Sequence, residues 1–256
     1  MTDLQDQELE RLRRRWRRVR KDLNLIDPLS ESFAIGGLAS RIDGLTFRML
    51  ILPPDPFAHH IEFDEKFVKE WEGMTAPLAR GSLSWGSNCC ATSTAAVRYD
   101  GIGGDKWNEY LSLDHSGAID IASGRRTGFR RSPGDATETH STGSSFLVPM
   151  FERIHAGCLI FSSFENLSSL KPPFEVTIAL RATKGTHLSR FAKGWQEPGQ
   201  MFSDELSICQ EAGVLLRREV MDCTDNWSEH VSESLAGQIE NAFGSFYGRF
   251  KPHQSK

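Results

Sequence analysis

Leu9, Leu12, Trp16, Val19, Leu23 and Ile26 recur at steps of three and four, the spacing of a heptad seam. Arg11, Arg13, Arg14, Arg15, Arg17, Arg18 and Arg20 fill the positions between them. The pattern predicts a helix with one apolar edge, ended by Asp27-Pro28, because proline cannot continue the hydrogen-bond ladder and disfavours the helical conformation of the residue before it. Such a helix is marginal alone in water, so its apolar edge must lie against a surface.

Beyond Pro28 the apolar runs shorten. Phe33–Ile35, Leu45–Leu52 (stopped by Pro53-Pro54) and His60–Phe63 read as strands. Asp64–Glu72 reads as a short helix with Phe67, Val68 and Trp71 on one face, and the small, Ser/Thr-rich Leu83–Tyr99 suits strands. Trp107–Leu113 and Ala118–Ile121 flank the turn formers Asp114, His115, Ser116 and Gly117, which predicts a β-hairpin. Ser123–Ser145 is polar with Phe129 as its one large apolar residue, and reads as a long loop. Ser144 or Ser145 is then placed to cap a core helix carrying Phe146, Leu147, Met150, Phe151, Ile154, Cys158 and Leu159. Phe174, Val176, Ile178 and Leu180 alternate with Glu175, Thr177, Ala179 and Arg181 as in a half-buried strand, and Val214–Val220 reads as another. Trp227, Val231, Leu235, Ile239, Phe243 and Phe246 mark a long amphipathic helix with Asp225 as its N-cap. The expected architecture is an α+β single domain over residues 28–256, with a mainly antiparallel sheet packed by two or three helices, preceded by a basic amphipathic helix over residues 1–27.

Composition changes little in this picture: 39% hydrophobic and 25% charged residues is the balance of a globular chain. No apolar run is long enough to cross a bilayer, and the first residues lack the apolar core of a secretory signal. Five cysteines, two of them adjacent at Cys89 and Cys90, do not make a disulfide framework, so a reducing cytoplasm is the expected setting. Charge does change the picture. The formal net of −4 divides into +3 through Asp22 and −7 for the remainder, a basic arm on an acidic body.

That arm carries the strongest chemical signal. Its arginines, Arg13, Arg14, Arg17 and Arg18 among them, suit a polyanion, whose counterions they would release; equally, they suit the chain's own acidic body or an acidic partner. Leu9, Leu12, Trp16, Val19 and Leu23 are the expected contact with a partner protein or a second copy, although parallel self-pairing would crowd the guanidinium groups. Arg125, Arg126, Arg130 and Arg131 around Phe129 form a second candidate anion-binding element, able to grip phosphates and stack a base.

Catalytic signals are thinner. Asp55 followed by Asp64-Glu65-Lys66 matches, in outline, the acidic pair and lysine of metal-dependent nucleases, but the acid-x-Lys unit falls at a helix start where acidic residues are favoured anyway. His59-His60 and Cys89-Cys90 are adjacent pairs whose side chains diverge on a strand, so no metal or other cofactor is expected. Asp114, His115, Glu138 and His140 could serve a serine among Ser141, Ser144 and Ser145, yet no nucleophile elbow or triad spacing supports them. Gly101-Ile102-Gly103-Gly104 reads as a turn rather than a nucleotide loop.

Trp107–Ile121 and Pro173–Gly185 resemble the uncharacterised C-terminal region that follows AlbA-type (Schlafen-like) DNA-binding domains in some bacterial proteins. The resemblance covers about Tyr99 to Phe250 and implies a bacterial regulatory or sensing module; it brings no site residue with it. The expected function is therefore a non-catalytic binding or regulatory module that associates through its basic helix with a partner surface, with nucleic acid as a candidate partner. The alternative is a metal-dependent nuclease or phosphodiesterase.

Overall fold

The structure is a computed structural model that describes residues 3–28, 30, 37–42, 44–59, 61–75, 88–92, 94–103, 105–124, 129–130, 144–146, 153–161, 172–181, 187–189, 211–222 and 226–242. Its centre is a seven-stranded antiparallel sheet built from β1 (Leu45–Leu52), β2 (Asn88–Ala91), β3 (Ala95–Gly103), β4 (Lys106–Asp114), β5 (Ile119–Gly124), β8 (Phe174–Arg181) and β10 (Gly213–Val220), in the order β10-β8-β1-β5-β4-β3-β2. A small second sheet joins β6 (Phe129–Arg130), β7 (Ser144–Phe146) and β9 (His187–Ser189). Among the described residues there are four α-helices: α1 (Asp3–Asp22), α2 (Glu65–Thr75), α3 (residues 153–161) and α4 (Trp227–Ala242). This is the α+β, mainly antiparallel architecture that the pattern predicts.

The predicted hairpin forms because Asp114 organises its turn. Its Oδ1 accepts from the Ser116 backbone N–H at 2.7 Å and from the Ala118 N–H at 3.2 Å, and Gly117 supplies the positive φ of 86° that a β-carbon would oppose. Asp64 likewise opens α2 by accepting from the Phe67 N–H at 2.7 Å.

The odd positions of β1 (Phe47, Met49, Ile51) and the even positions of β8 (Phe174, Val176, Ile178, Leu180) face one large apolar cluster. It is completed by Trp71 of α2, Ile154, Cys158 and Phe161 of α3, and Trp227, Val231, Leu235 and Ile239 of α4. The opposite face of the sheet carries a second cluster of Leu50, Leu52, Val97, Tyr110, Ala122 and Ala179, and α1 covers it with Trp16, Leu12, Val19 and Leu23. With both faces covered, β1 is buried along its whole length.

Several expectations are corrected. β8 is buried on both faces rather than half-buried: Glu175 and Thr177 are as enclosed as their apolar neighbours, because they lie under α1. Ser144–Phe146 form strand β7 instead of capping a helix, and the described part of the helix expected there covers residues 153–161. Residues 61–63 are irregular rather than a strand; Ile61 is held by its N–H donating to the His115 carbonyl at 2.9 Å. The polar loop expected from Ser123 is broken by β5, which extends to Gly124, and by β6. The strand expected at Phe33–Ile35, the N-cap Asp225 and the last turn of α4 with Phe243 and Phe246 lie outside the described residues.

The first helix stops at Asp22, before Asp27-Pro28. Asn24 adopts φ +56°, the Leu25 N–H donates to the Arg20 carbonyl at 2.7 Å and the Asn24 N–H to the Lys21 carbonyl at 3.0 Å, the two bonds of a Schellman cap. As a result Leu25 turns into the core while Ile26, expected on the apolar edge, is 48% exposed.

Candidate anion-binding surface

At 100° per residue, Trp16 and the other seam residues mark one side of α1, with Arg13 and Arg20 two turns apart beside them. Trp16 is fully buried and its indole Nε1–H donates to the Pro53 carbonyl at 2.8 Å, just past the end of β1. The edge formed by Leu12, Trp16, Val19 and Leu23 thus lies on the chain's own sheet; Leu9, one turn before Leu12, is half-buried.

The arginines beside the seam answer a specific feature of the sheet. Glu175 of β8 and Glu219 of β10 are register partners across the two strands, so two carboxylates stand side by side on the face under α1. Like charges directly opposite are unfavourable. Arg20 pairs with Glu175, which also accepts from the Thr177 hydroxyl at 2.9 Å, and Arg13 grips Glu219 with two parallel bonds of 2.8 Å from Nε and Nη2. The Arg13 guanidinium holds the Glu219 carboxyl below its ordinary range. Arg15 reaches Asp55 at 3.6 Å. Three of the seven arginines of α1 are thereby committed to carboxylates of the acidic body.

A second charged group sits below the end of α1. Arg48 of β1 is fully buried; it makes two bonds to Asp120 of β5, at 3.0 and 2.8 Å, and donates a third at 2.9 Å to the Leu23 carbonyl just beyond α1. Its register partners on either side are Ala122 and Ala179, small enough to leave room for the guanidinium. Tyr110 donates to Asp120 at 2.8 Å, and burial, together with that carboxylate, raises its phenol well above the ordinary range. Arg48 supplies a cation to a helix C-terminus, where the backbone dipole favours one.

The opposite side of α1 faces solvent. Arg11, Arg14, Arg17, Arg18 and Lys21 are all exposed there, with Arg14 and Arg18 about opposite Trp16. Arg18 makes a long contact of 3.9 Å with Asp22 and lies over the ring of Phe57, its guanidinium carbon 5.3 Å from the centroid. Farther toward the N-terminus a cavity of about 470 Å³ is lined by Asp6, Gln7, Glu10, Arg11 and Arg14. Its mixed signs make the C-terminal half of the helix the anion-attracting half.

Of the other anion-binding candidates, Arg125, Arg126 and Arg131 lie outside the described residues, and only the backbone of Arg130, in β6, is described. The nuclease-like residues have other partners. Asp64 caps α2, Lys66 faces Glu70 at 3.8 Å, and Asp55 pairs with Arg15 and accepts from the Phe57 N–H at 3.3 Å. Cys89 packs toward one apolar cluster and Cys90 toward the other, the divergence expected of neighbours on a strand; burial raises both thiols. His115 is stacked between His59 and Phe63, with centroids 4.0 and 4.1 Å away, and its Nδ1 is 2.6 Å from the Ile61 carbonyl. Ser144 and Ser145 lie in β7, while Glu138, His140 and Ser141 are outside the described residues. Among the described residues no group of three or more His, Cys, Asp or Glu side chains is arranged to hold a metal ion, and no helix is long and apolar enough to cross a membrane.

Sequence reasoning missed Phe57 and the facing carboxylates Glu175 and Glu219. Both depend on long-range pairing: Phe57 reaches Arg18 across 39 residues, and the two carboxylates meet only once β8 and β10 are in register. No family model matches the sequence, and neither a curated protein nor a solved structure matches it.

Proposed function

We propose that this chain is a non-catalytic binding or regulatory module that associates with an anionic partner surface through the outer face of α1. The observation that carries this reading is the division of labour around the helix. The inner face is spent on the sheet, which fixes the helix, and the outer face presents Arg11, Arg14, Arg17, Arg18 and Lys21 from a fixed scaffold. Pre-organised cations lose less conformational freedom on binding than a flexible basic tail does. The resemblance noted for Trp107–Ile121 and Pro173–Gly185 adds a regulatory context. Those stretches include all of β4 but its first residue, the first half of β5 and the whole of β8, so the likeness concerns the sheet framework and not the arginines.

The test is binding of the whole chain to heparin, a polyanion without bases, over a salt series. Contacts from the four outer arginines, with or without Lys21, predict an affinity loss on the order of 10²-fold between 50 and 200 mM salt. The double variant Arg14→Glu/Arg17→Glu, altered at two exposed positions, should bind at least tenfold more weakly at low salt while unfolding at an unchanged temperature. Salt-independent binding, or an unaffected double variant, would remove the basis of the reading.

A further inference from the structure

The loop after β1 reads Pro53-Pro54-Asp55-Pro56-Phe57-Ala58, with three prolines in six residues. Proline fixes φ and leaves little conformational freedom to lose. The loop is also tied down at several points. The Pro53 carbonyl accepts from Trp16, Asp55 pairs with Arg15, the Ala58 N–H donates to the Asp55 carbonyl at 3.2 Å, and the Phe57 N–H donates to the Asp55 side chain. On this stiff loop, anchored to α1, the ring of Phe57 is 54% exposed. It stands where Arg18 meets it, on the helix that also carries Arg11, Arg14, Arg17 and Lys21.

We infer that Phe57 and the outer arginines of α1 together form a platform for single-stranded nucleic acid, with a base stacking on the ring while the guanidinium groups follow the phosphates. The inference rests on the polyanion reading above and narrows it. Arginines alone suit any polyanion. An exposed, held ring beside them suits a ligand that has unpaired aromatic faces as well as charge, which duplexes, heparin and acidic peptides lack. Arg18 over the ring extends that surface, since a guanidinium plane also stacks on a base.

Four labelled or competing probes separate the cases at one salt concentration: a 20-nucleotide oligo-dT strand, a duplex of the same length, heparin and poly-glutamate. The expected result is tightest binding of the single strand. Phe57→Ala and Phe57→Leu should each weaken that binding roughly 5- to 150-fold, the range that loss of one aromatic stack produces, and leave heparin binding unchanged. Phe57→Trp should restore it, because indole offers a larger stacking face. Circular dichroism and the thermal midpoint should be the same for all three variants, since the side chain is largely outside the core. If Phe57→Ala leaves oligo-dT affinity intact, or if duplex or poly-glutamate binds as tightly as the single strand, the single-strand inference is wrong. In that case a charge-reversed Arg14→Glu/Arg17→Glu protein that still loses heparin keeps the polyanion reading alive. Absence of binding to all four probes would overturn both.

Discussion

The two faces of the central sheet are covered by different physics. On one, α2, α3 and α4 meet β1, β5 and β8 through Met49, Ile121, Val176, Ile178, Phe161, Leu235 and Ile239, an apolar contact crossed by a single described ion pair, Arg153 to Glu109 at 2.9 Å. On the other, α1 meets the same strands through Trp16 and Leu50 but also through Arg20–Glu175, Arg13–Glu219 and the Arg48–Asp120–Tyr110 group. Apolar burial is strong and non-directional, at about 25 cal/mol per Å², whereas a charged pair taken out of water roughly breaks even unless its geometry is met. The face under α2, α3 and α4 supplies cohesion, while the α1 face supplies a position: one rotation and one height of the helix satisfy the paired carboxylates of β8 and β10. That position is what turns the remaining arginines outward.

The α1 face breaks most severely at the ion pair in which both partners are buried, Arg20 with Glu175. Glu175→Ala leaves the Arg20 guanidinium enclosed without its carboxylate, and we expect it to cost about 3–5 kcal/mol in urea unfolding, as loss of one partner from a buried pair does. The double variant Arg20→Met/Glu175→Met should recover most of that loss, because apolar groups of similar volume replace a pair whose desolvation was costly. What it should not recover is the fixed seat of the helix, read as faster amide exchange along α1 than in the unaltered protein. A double variant as unstable as Glu175→Ala would mean that the ion pair contributes cohesion and not position, and the contrast between the faces would fail.

The helical face is sharpened by steric change instead of charge. Gly157 of α3 lets the helix approach the sheet so closely that a β-carbon there would stand 2.8 Å from Ile121 Cδ1 and 3.2 Å from Met49 Cε. Gly157→Leu should therefore overpack the interface and cost on the order of 1–3 kcal/mol in the same unfolding assay. The damage should appear as loss of near-ultraviolet ellipticity from the aromatic group Phe161, Phe174 and Trp227, with α1 keeping its exchange protection. An unchanged stability would mean that the three-helix layer slides freely and lacks the close fit assigned to it.

The two faces were also unequally legible from sequence. Period and composition mark most of the apolar face, the start of α3 excepted: Leu45–Leu52, the Asp114–Gly117 turn and the seam from Trp227 to Ile239 each announce themselves within a few residues. The α1 face depends on what ends up opposite what. Alternation in β8 promised solvent for Glu175 and Thr177, and the same alternation is equally consistent with a polar stripe under a charged helix; only the presence of α1 decides. The helix stop was misplaced for a related reason. Proline is a louder signal than an asparagine in the left-handed conformation, although the Schellman cap at Asn24 ends the helix several residues earlier. The outer arginines were visible at once, but the aromatic beside them was not, because Phe57 belongs to a different turn of the chain.

The smallest effect tests the rim of the α1 face, where the pair of Arg13 and Glu219 is partly exposed. The hydrogen bonds from Arg13 lower the Glu219 carboxyl beneath its ordinary 4.5 and outweigh the opposing effect of burial. A carboxyl depressed in the folded state binds fewer protons folded than unfolded, so the stability it contributes is complete above the unfolded value and is lost as pH falls from about 4.5 through the lower folded value. With side chains 40% and 30% exposed, solvent screening limits the pair to roughly 0–1 kcal/mol at neutral pH. Comparing Glu219→Gln with the unaltered protein should therefore give a small stability gap at pH 7 that closes in the acid region, and the gap should shrink in high salt. A gap that widened on acidification would have the wrong sign for a carboxylate held by Arg13. It would move the anchoring of α1 entirely onto the buried pair at Glu175 and the Arg48 group.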